Sequence, residues 1–234
     1  MMNLDNYYLQ QDQQISFSRQ QASDFAKGIA EDFNPIHSPD AKRFCVPGDL
    51  LFALTLHKLG LYQHMEFNFK GMVSDSVCLD YRETAAGQYC LLDENDKNYL
   101  EVNCQGDKNT DAILISELTQ NYVKFSGQTF PHILVPLMRD KNVMVNPKRP
   151  LIIYEQMAIS LSSVNIRHAD LELTNATLDV DGKRGKATLF FKFTENAKKV
   201  GEGQKKIVLS GLREFDEHEI DKLVAVYNSH KDKF

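Results

Sequence analysis

One segment of the sequence constrains the fold more than any other. It is LLFALTLHKLG, residues 50–60, which is apolar on almost all sides if it is helical. A helix without a polar face has to be buried all round, because it has no hydrophilic side to turn to water. Pro47 and Gly48 form a turn before it, Asp49 is a good capping residue, and Gly60 is a suitable end. We therefore predict a buried helix that begins near Asp49 and ends at Gly60.

Extended segments follow this helix. They are short, rich in aromatic and aliphatic residues, and separated by polar turns such as DENDKN. The predicted strands are residues 66–73, 77–84, 88–93, 98–104 and 113–125. Helices followed by consecutive strands are typical of the α+β class, and a long antiparallel sheet wrapped around the apolar helix would bury it.

The second half of the chain repeats this order. Pro150 suits the first position of a helix, and LIIYEQMAISLSS, which follows it, is again apolar on most sides. Asp181–Gly182 is a favourable hairpin turn. Strands are predicted at residues 170–180, 186–193 and 205–212. The sequence therefore predicts two units of one architecture, residues 1–127 and residues 128–234.

The composition excludes several classes of function. With 27 lysines and arginines against 32 aspartates and glutamates, the net charge is −5, and no long basic stripe is present. Phosphate contacts dominate nucleic-acid affinity, so we expect no nucleic-acid partner. The short basic pairs, such as Lys205–Lys206, are interpreted as solvated surface, with a contact to a substrate phosphate as the alternative. No apolar run approaches the roughly 20 residues that cross a bilayer. The N-terminus has no signal pattern and the four cysteines show no metal or disulfide spacing, so a cytoplasmic protein without a membrane span is predicted.

A compact polar motif precedes the buried helix: Asp32, Asn34, Pro35, Ile36 and His37 occur within six residues. It resembles the D-x-N-P-[IL]-H signature of MaoC-like (R)-specific enoyl-CoA hydratases, and the resemblance extends over residues 15–79. It implies the hot-dog fold. For the whole chain it implies a double hot-dog of the α+β class, with two antiparallel sheets, or one continuous sheet, wrapping central apolar helices.

The resemblance also implies a reaction, the hydration of trans-2-enoyl thioesters to 3-hydroxyacyl thioesters or the reverse dehydration. Adding water to such a thioester needs a base for the water, a proton for the α-carbon and stabilisation of an enolate oxygen. Asp32 and His37 on one turn could hold a single water and serve both proton roles. The amide of Gly48, at a helix N-terminus, could face the thioester oxygen. Asn34 would set the turn through a backbone hydrogen bond, and Pro35 would stiffen it.

Three features depart from the family pattern. Glu31 replaces the usual glycine before the aspartate, the link from His37 to Gly48 is shorter, and Asp49 follows that glycine where methionine is common. Asp49 leaves a second activity open, because related hot-dog thioesterases place a carboxylate on the central helix. Otherwise it is a helix cap or a group that orients the loop and the substrate. A third hypothesis is a non-catalytic, regulatory protein that binds acyl thioesters.

The implied substrate is an acyl thioester of coenzyme A or of acyl carrier protein. The hydration chemistry requires neither a metal nor a redox cofactor. A fused double unit would supply internally the pairing that single hot-dog units obtain by dimerising. The chain is therefore expected to be a monomer with an internal pseudo-dimer, or a homodimer.

Overall fold

A computed structural model describes residues 2–231 of the chain. Within this range the α-helices are α1 (Arg19–Gly28), α2 (Gly48–Leu59), α3 (Ala112–Gly127), α4 (Val135–Asp140) and α5 (Glu217–Lys231). The strands are β1 (Leu9–Gln11), β2 (Gln14–Ser16), β3 (Leu61–Phe69), β4 (Leu79–Ala85), β5 (Gln88–Leu92), β6 (Asn98–Asn109), β7 (Val143–Met144), β8 (Leu151–Leu161), β9 (Asp170–Asp181), β10 (Arg184–Glu195), β11 (Lys198–Ser210) and β12 (Arg213–Glu214). Short 3-10 turns at Leu4–Tyr7 and Pro35–His37 and a π-helical turn at Phe130–Leu134 complete the list.

Ten strands form one antiparallel sheet in the order β1-β2-β4-β5-β6-β3-β8-β11-β10-β9, and β7 pairs separately with β12. Two sets of four strands within it have the same order. In each set the strand that comes first in the chain lies innermost, and the remaining three follow outward in reverse chain order. The two inner strands, β3 and β8, pair with each other, with Phe67 opposite Met157. The fold is therefore the double hot-dog of the α+β class, and its two units share one continuous sheet.

Helix α2 is buried, as its apolar sequence predicts. From Asp49 to Leu56 every residue is buried, and the ring of Phe52 lies 5.0 Å from that of Phe67 and 4.5 Å from that of Tyr122. Burying a leucine or phenylalanine side chain stabilises a fold by about 1.5–3 kcal/mol, so this helix is a major part of the core. The helix ends at Leu59, and the C-cap residue Gly60 has φ +85°, which glycine adopts readily.

The predicted strand at residues 113–125 is wrong, because the segment forms helix α3. Asp111 caps this helix by accepting hydrogen bonds from the amides of Ile113 and Leu114. Leu114, Leu118 and Tyr122 are buried at a spacing of four residues, which is helical periodicity. The aromatic and β-branched residues of the segment favour a strand and made the helical period hard to recognise. Asp111, a residue type preferred at helix N-caps, did indicate a helix.

The helix predicted from Pro150 onward is also wrong, because residues 151–161 form strand β8. This strand lies in the middle of the sheet, between β3 and β11, so both of its edges are hydrogen-bonded. The strand is half-buried for most of its length, and periodicity does not distinguish its short apolar runs from those of a buried helix. The predicted division of the chain after residue 127 falls at the end of α3.

Candidate functional site

The polar motif forms a rigid loop between α1 and α2. The carboxylate of Asp32 accepts a hydrogen bond from the amide of Asn34 at 2.9 Å through Oδ1. The side chain of Asn34 accepts one from the amide of Ile36 at 3.2 Å, and Pro35 begins the 3-10 turn that ends at His37. Two successive side-chain turns and a proline leave the loop little conformational freedom. These contacts are local, which explains how the sequence could predict them.

The loop brings Asp32 and His37 together. Oδ2 of Asp32 lies 3.5 Å from Nε2 of His37, and the two residues are only 8 % and 9 % exposed. Nδ1 of His37 lies 2.7 Å from the carbonyl oxygen of Cys45. A carbonyl oxygen only accepts, so Nδ1 carries a proton and Nε2 faces the carboxylate. Burial lowers the pKa of His37, but the nearby Asp32 and the Cys45 carbonyl outweigh it and raise the pKa above its ordinary value.

The loop rests directly on the end of α3. A Cβ atom on Gly127 would lie 2.9 Å from the carbonyl carbon of Ala30 and 3.0 Å from the amide nitrogen of Asp32, so only glycine fits there. The hydroxyl of Tyr227 on α5 donates to the carbonyl oxygens of Glu31, at 2.9 Å, and Gly127, at 2.8 Å. Two distant parts of the chain, the end of α3 and helix α5, therefore set the position of Asp32.

Glu31, the first departure from the family pattern, has φ +54°, in the left-handed region that favours glycine. Its side chain is held at this junction by Gln128, which donates to it at 2.7 Å, and by the ammonium group of Lys124 at 3.3 Å. The glycine that the MaoC-like pattern has at this position would adopt such a backbone without strain. In this chain a glutamate adopts the left-handed backbone.

Gly48 begins α2, and its amide belongs to the first turn, where N–H groups have no acceptor within the helix. A Cβ atom here would lie 2.9 Å from the ring of Tyr154 and 3.2 Å from that of Phe69. The absence of a side chain therefore lets both rings approach the start of the helix. The N–H groups at this end point out of the helix, and the helix dipole favours an anionic oxygen there.

These groups line one cavity of about 320 Å³. Its polar part includes Asp32, His37, Gly48, Ser126 and Tyr154. The apolar part is formed by side chains from α2, the segment after α3, β8, β11 and α5: Leu51, Phe130, Leu134, Ile152, Ile207, Leu223 and Val226. A cavity that is mostly apolar with a few convergent polar groups is typical of a site for a small ligand with an apolar chain.

A second polar cluster lies behind the cavity wall. Asp49, only 1 % exposed, does not cap α2; its Oδ2 accepts hydrogen bonds from Ser126, at 2.5 Å, and from Tyr154, at 3.3 Å. Its Oδ1 lies 3.4 Å from Nζ of Lys205, which also donates to the hydroxyl of Ser126. The same ammonium group lies 3.3 Å from the centre of the Tyr154 ring, a cation–π contact.

Burial perturbs the charged groups of this cluster. It raises the pKa of Asp49, although Lys205 and Ser126 act in the opposite direction. It lowers the pKa of Lys205 to about 8, with Asp49 partly opposing the shift. Charged pairs with shifted pKa values occur both at functional sites and as purely structural ion pairs. The contacts of the pair therefore have to show which of the two it is.

The residues predicted from the motif come together: Asp32, Asn34, Pro35, His37 and Gly48 all line the cavity. Asp49 does not line it, and its carboxylate reaches the cavity only through its hydrogen-bond partners. Among residues 2–231, no group of three or more histidine, cysteine, aspartate or glutamate side chains is arranged to hold a metal, and no helix is long and apolar enough to span a membrane.

Sequence reasoning missed Ser126, Tyr154 and Lys205. The interpretation of the Lys205–Lys206 pair as solvated surface is wrong for Lys205, which is fully buried. Alternation did not distinguish the two lysines, because Ile207, Val208 and Leu209 are all apolar and buried. Nothing in the neighbouring sequence indicated a functional role for Ser126 except that it is followed by the small residue Gly127. The segment before it was predicted as a strand.

The chain resembles several solved structures at low identity. A putative thioesterase II from Thermobifida fusca is 8 % identical, with a TM-score of 0.46 over 90 % of this chain and 98 % of that one. A MaoC-like dehydratase is 10 % identical, with a TM-score of 0.43 over 86 % and 97 % of the two chains. A conserved protein of unknown function with a hot dog fold from Alicyclobacillus acidocaldarius is 7 % identical, with a TM-score of 0.45 over 90 % and 98 %. These likenesses do not identify a reaction.

No curated protein matches the chain. One family model does: it matches residues 2–218 and is described as a protein of unknown function, DUF3581.

Proposed function

The chain belongs to the DUF3581 family, whose description names no activity, and from the site itself we propose that it hydrates trans-2-enoyl thioesters or catalyses the reverse dehydration. The observation that carries this proposal is the buried pair of Asp32 and His37, 3.5 Å apart, at the polar end of an apolar cavity. Two titratable groups at this distance can contact the same water molecule and the same reacting carbon atoms.

The proton transfers follow from the charges of the pair. Asp32 takes a proton from water as the hydroxyl oxygen bonds to the β-carbon of the substrate. His37, whose raised pKa favours the imidazolium, donates the proton on Nε2 to the α-carbon. A proton then passes from the carboxyl group of Asp32 to Nε2 of His37 and restores the pair. Positioned acid–base groups of this kind contribute about 10²–10⁴-fold to a rate.

The remaining groups support the same step. Negative charge develops on the thioester oxygen, and the free amide of Gly48 at the start of α2 would stabilise it. Asn34 and Pro35 keep the loop in one conformation through the turn they form. The apolar part of the cavity takes the acyl chain, and the carrier would be coenzyme A or acyl carrier protein, as the motif implies.

The test follows the loss of enoyl-thioester absorbance with crotonyl-CoA and trans-2-octenoyl-CoA. We expect Asp32→Asn and His37→Gln each to lower kcat/KM by about 10²-fold or more. His168→Gln is the matched control, since His168 also pairs with a carboxylate, Asp170 at 2.8 Å, but on the exposed surface. Melting temperatures show whether each variant is folded.

Two results would contradict hydration. One is the absence of turnover by the wild type on both substrates and on the same acyl groups carried by acyl carrier protein. The other is activity in both dyad variants within about twofold of the wild type. Ligand-induced thermal stabilisation without turnover would instead support the binding-protein hypothesis.

A further inference from the structure

The cavity contains a hydroxyl group that the proposed hydration does not use. Ser126 lies in the last turn of α3 and lines the cavity. Its Oγ contacts Oδ2 of Asp49 at 2.5 Å, the hydroxyl of Tyr154 at 3.2 Å and the ammonium group of Lys205. We propose that Ser126 is a nucleophile that takes the acyl group of a thioester or an ester, with Asp49 taking its proton and Lys205 orienting Oγ through a hydrogen bond.

The hydrogen bonds fix the direction of the serine proton. Lysine only donates, so Lys205 donates to Oγ of Ser126 and occupies one of its lone pairs. A carboxylate only accepts, so the single proton of Ser126 points to Oδ2 of Asp49. The hydroxyl of Tyr154 donates to Asp49 and lies 3.2 Å from Oγ, so it has to shift when a substrate carbonyl approaches the other lone pair. A nucleophile hydrogen-bonded to a base that a third group orients is the arrangement expected for covalent catalysis.

A purely structural ion pair would not require this serine. Asp49 and Lys205 already approach each other at 3.4 Å, and a buried ion pair is often no more stabilising than an apolar pair of similar volume. Ser126 bridges the two charges and connects them with the cavity. Burial also raises the pKa of Asp49 and lowers that of Lys205 to about 8, so that the carboxylate is a better base and the ammonium a better acid near neutral pH.

The reaction balances without a further co-reactant. Oγ of Ser126 bonds to the carbonyl carbon of the substrate, and its proton moves to Asp49. The carbon–sulfur bond, or the carbon–oxygen bond of an ester, then breaks, and the leaving group takes that proton. Water attacks the acyl-serine, gives one proton back to Oγ through Asp49, and releases the acid. Negative charge on the carbonyl oxygen would be stabilised by amides at the start of α2, near Gly48.

The substrate class follows from the cavity, whose apolar wall suits an acyl chain. This activity is independent of the proposed hydration, because it needs no double bond and neither member of the Asp32–His37 pair. A saturated acyl ester or thioester cannot be hydrated at an alkene and therefore reports only on Ser126. Failure of one proposal leaves the other untouched.

The experiment treats the full chain with p-nitrophenyl butyrate and, separately, with butyryl-CoA. Release of nitrophenolate or thiol is followed, and acid-quenched samples are measured by intact mass and peptide mapping. We expect one butyryl group per chain, on Ser126, or steady hydrolysis that Ser126→Ala lowers by about 10²-fold or more. Asp49→Asn should slow acylation, since it removes the base.

Ser116→Ala is the matched control, because Ser116 is also a buried serine on α3 but does not line the cavity. Ser126→Cys keeps a nucleophile of similar size and should also become acylated, which decides the matter if Ser126→Ala does not fold. The proposal is overturned if neither the wild type nor Ser126→Cys gives an adduct or hydrolysis that depends on position 126. An adduct on another residue that persists in Ser126→Ala overturns it equally.

Discussion

Replacing Gly127 with alanine should disable the motif loop although it changes none of the loop's own residues. The new Cβ would lie 2.9 Å from the carbonyl carbon of Ala30 and 3.0 Å from the amide nitrogen of Asp32, and closer still to the Ala30 oxygen. Because carbon atoms prefer separations of 3.5–4.0 Å, the end of α3 and the loop must move apart by on the order of 1 Å. All these neighbours are backbone atoms, so no side-chain rotation can relieve the contact.

Two effects of different size are expected. Overpacking of this kind costs about 1–3 kcal/mol of unfolding free energy. A displacement of about 1 Å in a catalytic group can cost about 10²-fold in rate, so activity should fall much more than stability. Urea denaturation measures the first quantity, and kcat/KM on the enoyl thioester measures the second.

Gly182→Ala is the control for this prediction. Gly182 has φ +53°, so alanine there is strained and should also lower stability, but nothing lies within 4 Å of its Cβ position and it is far from the loop in the sheet hairpin. Its activity per folded molecule should remain that of the wild type. If Gly127→Ala keeps both its stability and its activity, α3 does not position Asp32 and the reasoning fails.

Two further predictions concern the loop. The unfolding free energy of Glu31→Gly should exceed that of Glu31→Ala by about 1 kcal/mol. Both variants lose the side-chain contacts, but only alanine keeps the strain of the left-handed backbone. Equal midpoints in urea would contradict this. The raised pKa of His37 means that its pairing stabilises the fold fully below about pH 6.5 and ceases to do so as the pH rises through the raised value. The difference in unfolding free energy between the wild type and His37→Gln should therefore be larger at about pH 5.5 than at about pH 9, and a difference that grows with pH would refute it.

The motif loop could be predicted because its interactions are local. The side-chain turns of Asp32 and Asn34 span two residues each, and the proline restricts the backbone at the next position. The buried helix could be predicted for a related reason, since a helix without a polar face has only one stable environment.

The two assignments that failed depended on contacts with distant parts of the chain. Residues 151–161 form a strand because β3 and β11 supply hydrogen bonds on both edges, and neither neighbour can be recognised from the segment itself. Residues 112–127 form a helix that packs its apolar side against the core, including the rings of Phe52 and Phe191 near Tyr122. Tertiary packing decided between two conformations that the local sequence allows almost equally.

Short stretches of the sequence indicate the α+β class, the buried helix and the side-chain turns of the loop, because each of these depends on residues close together in the chain. Only the tertiary structure joined Asp49 to Ser126, 77 residues away, and to Lys205, 156 residues away. A lysine on a strand is ordinarily solvated, and nothing near it in the chain indicates that a carboxylate and a serine will replace its water. Strand β11 of the continuous sheet places Lys205 next to Asp49 at the start of α2. The free energy of burying the surrounding core stabilises the fold that keeps these charged groups together.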